Sequence, residues 1–283
     1  MATTTAVPGG VLLADLPPAS GKAGLTGVIR SEWTKIRSVR STYWTLFAMV
    51  VVGIGLGALI CYATQSHLTH LGHGAPLGFD ATERSLTAFV ELGQLVMMVL
   101  GAMAITTEYS TGMIRTSLTT MPRRGTVFAA KGLVFGVIAF VVSLVTAFIA
   151  FFLGQSILHS TGYSATLSDP NVVRAIIGTA LYVTVVGLMS YAIGAIIRHT
   201  AGTIATMVGV LFILPLIVEV LPSNWTADVN KWIPSSAGGQ LLATVPGGAD
   251  PTLFSAWGQF GVTAAYTAIL LIIGLVLFRK RDA

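Results

Sequence analysis

Three histidines, His67, His70 and His73, recur every third residue. Three imidazoles at such spacing can hold zinc or copper. Gly72 and Gly74 interrupt any helix that would align them, and no cysteine or carboxylate is woven between them. They read as polar residues of a solvated loop, and no metal site is expected. A membrane-embedded protease needs a nucleophile and a base at matching depth. Ser143 and Ser190 sit in apolar runs, but no histidine lies well inside another run to serve them. No G-x-x-x-x-G-K-[ST] phosphate loop occurs in the sequence, so no catalytic residues and no directly bound cofactor are expected. Two carboxylates, Glu91 and Glu219, stand within or beside apolar segments. Carboxylates are costly there and usually face a cavity or a partner helix. With Gln94 they are expected to line an outer vestibule, simple solvation at the interface being the bland alternative.

The elements that must position these residues are membrane spans. Of 283 residues, 54% are hydrophobic and only 10% charged, against about 25% charged in a soluble domain. The single cysteine, Cys61, excludes an internal disulfide framework. A net charge of +5 speaks for orientation in a bilayer, and no nucleic-acid role is read from it. A helix needs about 20 apolar residues to cross the hydrocarbon core. Six runs qualify, at about 43–62, 86–106, 133–153, 175–197, 203–221 and 256–278, and Pro215 is expected to kink the fifth. The expected fold is all-α and integral to the membrane. Residues 1–24, rich in Pro and Gly, form a flexible tail without a cleavable signal. An interfacial helix follows over 25–41, then a six-span domain over 42–283.

Thirteen of the sixteen lysines and arginines fall on one side of this arrangement. They are Lys22, Arg30, Lys35, Arg37, Arg40, Arg115, Arg123, Arg124, Lys131, Arg198, Arg279, Lys280 and Arg281. The positive-inside rule then makes both termini cytoplasmic. The outer loops are 64–85, 154–174 and 222–255. In the last, Trp225 and Trp232 are expected to accompany short helices on or dipping into the outer leaflet, or else an ordinary loop with two anchors. Gly53 with Gly57, and Gly132 with Gly136, carry the small-residue spacing of closely packed membrane helices.

Two basic segments can carry mechanism. In Leu25–Arg40 the apolar residues Leu25, Ile29, Trp33 and Ile36 recur at helical spacing. Arg30, Lys35, Arg37 and Arg40 spread over the rest, as in a helix lying on a phosphate surface. The connector Glu108–Arg124, EYSTGMIRTSLTTMPRR, offers a ridge of Met113, Ile114, Leu118 and Met121 beside Glu108, Arg115, Arg123 and Arg124. Gly112 permits close approach of another backbone. In the largest inner loop, such a segment is suited to docking a soluble partner.

The order of parts resembles the permease subunit of an ABC-type-2 exporter. In that family a basic elbow helix precedes span one. A coupling region after span two carries a pattern like E-Y-x-x-G-T-x-R-x-x-L, then Pro, basic residues and a Lys opening span three. This chain supplies Glu108, Tyr109, Gly112, Arg115, Leu118, Pro122, Arg123, Arg124 and Lys131, and departs at Met113, where the family often has Thr. The stretch Ser31–Leu46 is similar to the start of actinobacterial permeases of this type. The resemblance implies an ATP-driven export complex in a bacterial plasma membrane. Its partners would be a cytoplasmic ABC ATPase subunit, a second permease copy or paralogue, and membrane lipid. ATP and Mg2+ would bind the ATPase, whose closure would push on the coupling region. Drug-like, peptide or lipid-like cargo is allowed. An ion-coupled secondary transporter and a non-transporting membrane scaffold are the alternatives; the peripheral carboxylates and the absence of duplicated halves speak against the first.

Overall fold

The computed structural model describes residues 27, 30, 33–34, 40–71, 78–110, 124–220, 222–245 and 248–280. Among them there is no strand. Four long helices come first: α1 (Arg40–Leu71), α2 (Ala81–Ser110), α3 (Arg124–Leu158) and α4 (Val172–Ile197). The next span is built from α5 (Thr200–Val208), a π turn (Gly209–Ile213) and α6 (Leu214–Glu219). Two short helices, α7 (Ser223–Asn230) and α8 (Ser236–Leu242), precede the last, α9 (Ala256–Lys280). Among the described residues, six segments are long and apolar enough to cross a membrane.

The helices outrun the apolar stretches expected from the sequence, because a helix does not end where lipid ends. α1 continues to Leu71, so His67 and His70 lie exposed on its last turns and not in a loop, while His73 falls outside the described residues. Pro215 follows a wide turn. The Leu214 N–H bonds to the Gly209 carbonyl, five residues back, and proline has no N–H to give Leu211.

α4 is the central helix, with 72% of its most apolar stretch buried. It packs on α2, α3, α8 and α9. A Cβ added at Gly101 of α2 would fall 2.1 Å from the Gly187 carbonyl oxygen of α4, so only glycine permits that crossing. Beside it, Ser190 Oγ donates to the Met98 carbonyl at 2.5 Å. Ser190 therefore serves helix packing. Gly57 and Gly136 likewise face neighbours within the bundle, α2 and α4 respectively. The outer helices expose Phe47, Leu59, Ile269 and Ile272, as surfaces solvated by lipid chains require.

At the end of the bundle away from the connector, Asp80 is buried and begins α2. Its Oδ1 accepts from the Thr82 and Glu83 N–H groups at 3.0 Å, a helix cap. Both carboxylate oxygens also accept from Thr244, and Oδ2 from the Val245 N–H. Arg174 donates to the adjacent Ala243 carbonyl at 2.5 Å. These bonds fix the chain leaving α8 against the ends of α2 and α4. From α9, Gln259 Nε2 donates to the carbonyls of Asn230, Lys231 and Ile233, and Thr263 Oγ1 to that of Pro234. The polar backbone between α7 and α8 is thus satisfied by side chains. α8 is buried on α4, while Trp225 and Trp232 are exposed.

Candidate functional site

The connector itself, residues 111–123, lies outside the described residues, and with it Gly112, Arg115, Leu118 and Arg123. Its two roots are described. Glu108 and Tyr109 close α2, and α3 opens at Arg124, whose side chain is not described. Lys131 stands two turns into α3. Its Nζ lies 2.6 Å from Glu108 Oε1, with both side chains buried. A pair so placed holds together two helices whose connection, residues 111–123, carries the basic residues Arg115 and Arg123. Truncating one partner of such a pair costs about 3–5 kcal/mol, because the other charge stays buried.

Other elements converge on the same roots. α4 ends in Arg198, which adopts a left-handed conformation at φ +60° and returns its N–H to Gly194. That conformation disfavours a residue with a side chain. It lets the chain reverse at once into α5, which His199 caps by accepting from the Gly202 N–H at 3.1 Å. The Arg198 guanidinium then lies 4.8 Å from the Tyr109 ring centroid, within cation–π range. Thr106 and Thr200 share a hydroxyl hydrogen bond of 2.7 Å, joining α2 to the start of α5.

Aromatic rings bind the remaining helices. Phe278 of α9 meets Tyr109 edge-on at 6.4 Å and Phe128 of α3 at 5.6 Å. Phe128 lies 5.0 Å from Tyr191 of α4, whose hydroxyl donates to the Phe128 carbonyl at 2.9 Å. One residue on, the Arg279 guanidinium occupies the space a Cβ on Gly125 would need, 2.4 Å from Arg279 Nε. The ends of α2, α4 and α9 and the starts of α3 and α5 thus meet in one packed cluster. Among the described residues it holds ion-paired, cation–π and aromatic contacts and no arrangement of nucleophile and base.

The sequence pattern marked Glu108 and Tyr109 as coupling residues but gave no part to Lys131 beyond opening span three. A lysine in an apolar run, 23 residues after a glutamate at the end of another, was the available signal. Arg198, Phe278 and Arg279 had none stronger than their position at helix ends. Of the interfacial segment, residues 27, 30, 33 and 34 are helical, and Trp33 is half exposed. Lys35 and Arg37 lie outside the described residues, as does the side chain of Arg40, whose backbone begins α1.

Glu91 and Gln94 are brought together. Gln94 Nε2 donates to Glu91 Oε2 at 3.0 Å, and Gln94 Oε1 accepts from the buried Tyr182 hydroxyl at 2.7 Å. Tyr182 orients the amide, the amide orients the carboxylate, and Glu91 is left exposed on the bundle's side. Glu219 is exposed at the end of α6, which packs on α7. Among the described residues it makes no hydrogen bond or ion pair with Glu91 or Gln94. Ser143 Oγ is buried without a hydrogen-bond partner among the described residues.

The family model described as ABC-2 family transporter protein matches residues 28–215. The match runs from the interfacial segment through Pro215 and includes both roots of the connector. No curated protein matches the chain.

Proposed function

This chain belongs to the ABC-2 transporter family, and from that premise we propose that it is the permease subunit of an ATP-driven exporter. The observation that carries the reading is the Glu108–Lys131 pair, which locks the two roots of the connector to each other. Gly112, Arg115, Leu118, Arg123 and Arg124 dock a cytoplasmic ABC ATPase subunit. That subunit binds ATP and Mg2+, and this chain binds neither. Closure of the ATPase pushes the connector. The ion pair makes α2 and α3 respond as one body, and Tyr109, Phe128 and Phe278 pass the motion to α4 and α9.

In this reading the connector end faces the cytoplasm of a bacterial cell, as do both termini. Trp33, Lys35, Arg37 and Arg40 belong to an elbow helix resting on the inner leaflet. A second permease copy or paralogue completes the pathway. Glu91 and Gln94, with Glu219 from either subunit, line its outer vestibule. The cargo is a drug-like, peptide or lipid-like amphiphile.

The test is purification of the tagged chain from its native membrane in mild detergent. An ATPase with a phosphate loop should co-purify, and Arg115→Ala should lose it while still inserting. A chain that moves substrate in vesicles on an ion gradient alone would overturn the reading. Orientation has its own check. A cysteine at Arg123→Cys should react with an impermeant maleimide only after the cells are opened, against a background in which Cys61 is fully buried.

A further inference from the structure

A cleft among the described residues lies apart from the cluster at the connector's roots. Trp33, Tyr43, Leu46 and Phe47 face Ile138 and Val142 of α3 across about 330 Å³. The walls are almost wholly carbon, and water placed there has few polar partners. The cleft opens sideways, since Trp33, Tyr43 and Phe47 are each more than half exposed. Its wall along α1 runs from Thr42 to Val50. That is roughly 12 Å of helical rise, close to the ~15 Å depth of hydrocarbon in one leaflet.

The mouth of the cleft lies at the basic end of α1. Arg30 is exposed and stands one helical turn before Trp33. Thr34 Oγ1 donates to the Arg30 carbonyl at 2.9 Å, closing that turn. Arg40 is the first residue of α1, two before Thr42. In sequence the span 30–40 carries four basic residues against one acid, Glu32. Carbon walls one leaflet deep beneath a cationic mouth match one chemistry, a fatty acyl chain bearing a negatively charged headgroup. A zwitterionic lipid would fill the walls but bring its own ammonium beside the cations, with no net charge to attract them.

We propose that this cleft seats one anionic phospholipid, with an acyl chain between α1 and α3 and the phosphate at the level of Arg30. The seat depends on neither ATP coupling nor the direction of transport, so its test stands apart from theirs.

Trp33 is the built-in probe. A chain retaining it alone, with Trp44, Trp225, Trp232 and Trp257 changed to Phe, is reconstituted into phosphatidylcholine vesicles. A minor fraction of lipid is replaced by brominated phosphatidylglycerol or brominated phosphatidylcholine at equal amounts. The brominated anionic lipid should quench Trp33 more strongly, by about the fivefold enrichment that one engaged cation provides. Arg30→Gln together with Arg40→Gln should abolish the preference. Val142→Phe, or Leu46→Phe from the opposite wall, should fill the cleft and remove the preference for the anionic lipid, leaving the quenching common to both, in a variant whose thermal melting is unchanged. Equal quenching by the two lipids overturns the proposal. So does a preference that survives in both filled variants, which would mean surface attraction without a seat.

Discussion

Lys131 Nζ donates to Glu108 Oε1 at 2.6 Å, so the last turn of α2 and the second turn of α3 share a charge pair with solvent excluded. Both side chains are buried. Glu108→Ala or Lys131→Ala alone should therefore destabilise the protein by about 3–5 kcal/mol. Glu108→Leu combined with Lys131→Met should recover most of that loss, because no charge is then stranded. Thermal unfolding in detergent measures all three. A double variant whose loss equals the sum of the singles would contradict the buried pair.

Gly125 and Arg279 offer a softer perturbation. A methyl at Gly125→Ala displaces the tip of a flexible arginine and no backbone. Its stability should fall by less than about 1 kcal/mol. If α9 receives motion through this contact, transport per ATP hydrolysed should fall in both Gly125→Ala and Arg279→Ala. Full coupling in both would remove α9's end from the proposed path.

At Gly101 the obstacle is backbone. The Gly187 carbonyl cannot turn aside without breaking α4, so Gly101→Ala must push two helices apart. A loss of about 1–3 kcal/mol is expected, the usual cost of overpacking. An unchanged melting temperature would mean that α2 and α4 cross less closely than 2.1 Å from that Cβ implies.

Asp80 holds the opposite end. Asp80→Asn replaces one carboxylate oxygen by an amide that donates, against backbone N–H groups that also donate. At least one buried donor is left unmatched, at about 1–3 kcal/mol. Hydrogen exchange should rise in 236–245 and at the start of α2, with the cluster around Tyr109, Phe128 and Phe278 unaffected. Protection unchanged in both segments would show that Asp80 does not hold them.

The spans were legible because lipid demands long uninterrupted apolar runs, and polar loops punctuate them. The motif at Glu108 and Tyr109 was legible because it is contiguous. Pairings across long separations were not. Asp80 meets Thr244 across 164 residues and Tyr182 meets Gln94 across 88, and nothing local in either stretch names its partner. The histidine reading failed on a different ground. Polar residues at 67 and 70 look like a loop, but α1 projects past the hydrocarbon and carries them on helix.

The π turn at Gly209–Ile213 puts one residue more into a turn of the fifth span than an α-helix carries. Each residue of an α-helix advances about 100° around the axis, so one extra residue in a turn resets everything above it by that angle. Before the turn Thr203 and Met207 are buried, within it Leu211, and after it Val218. Evolution can therefore re-aim the half that bears Glu219 by gaining or losing one residue here, without disturbing how the other half seats in the bundle.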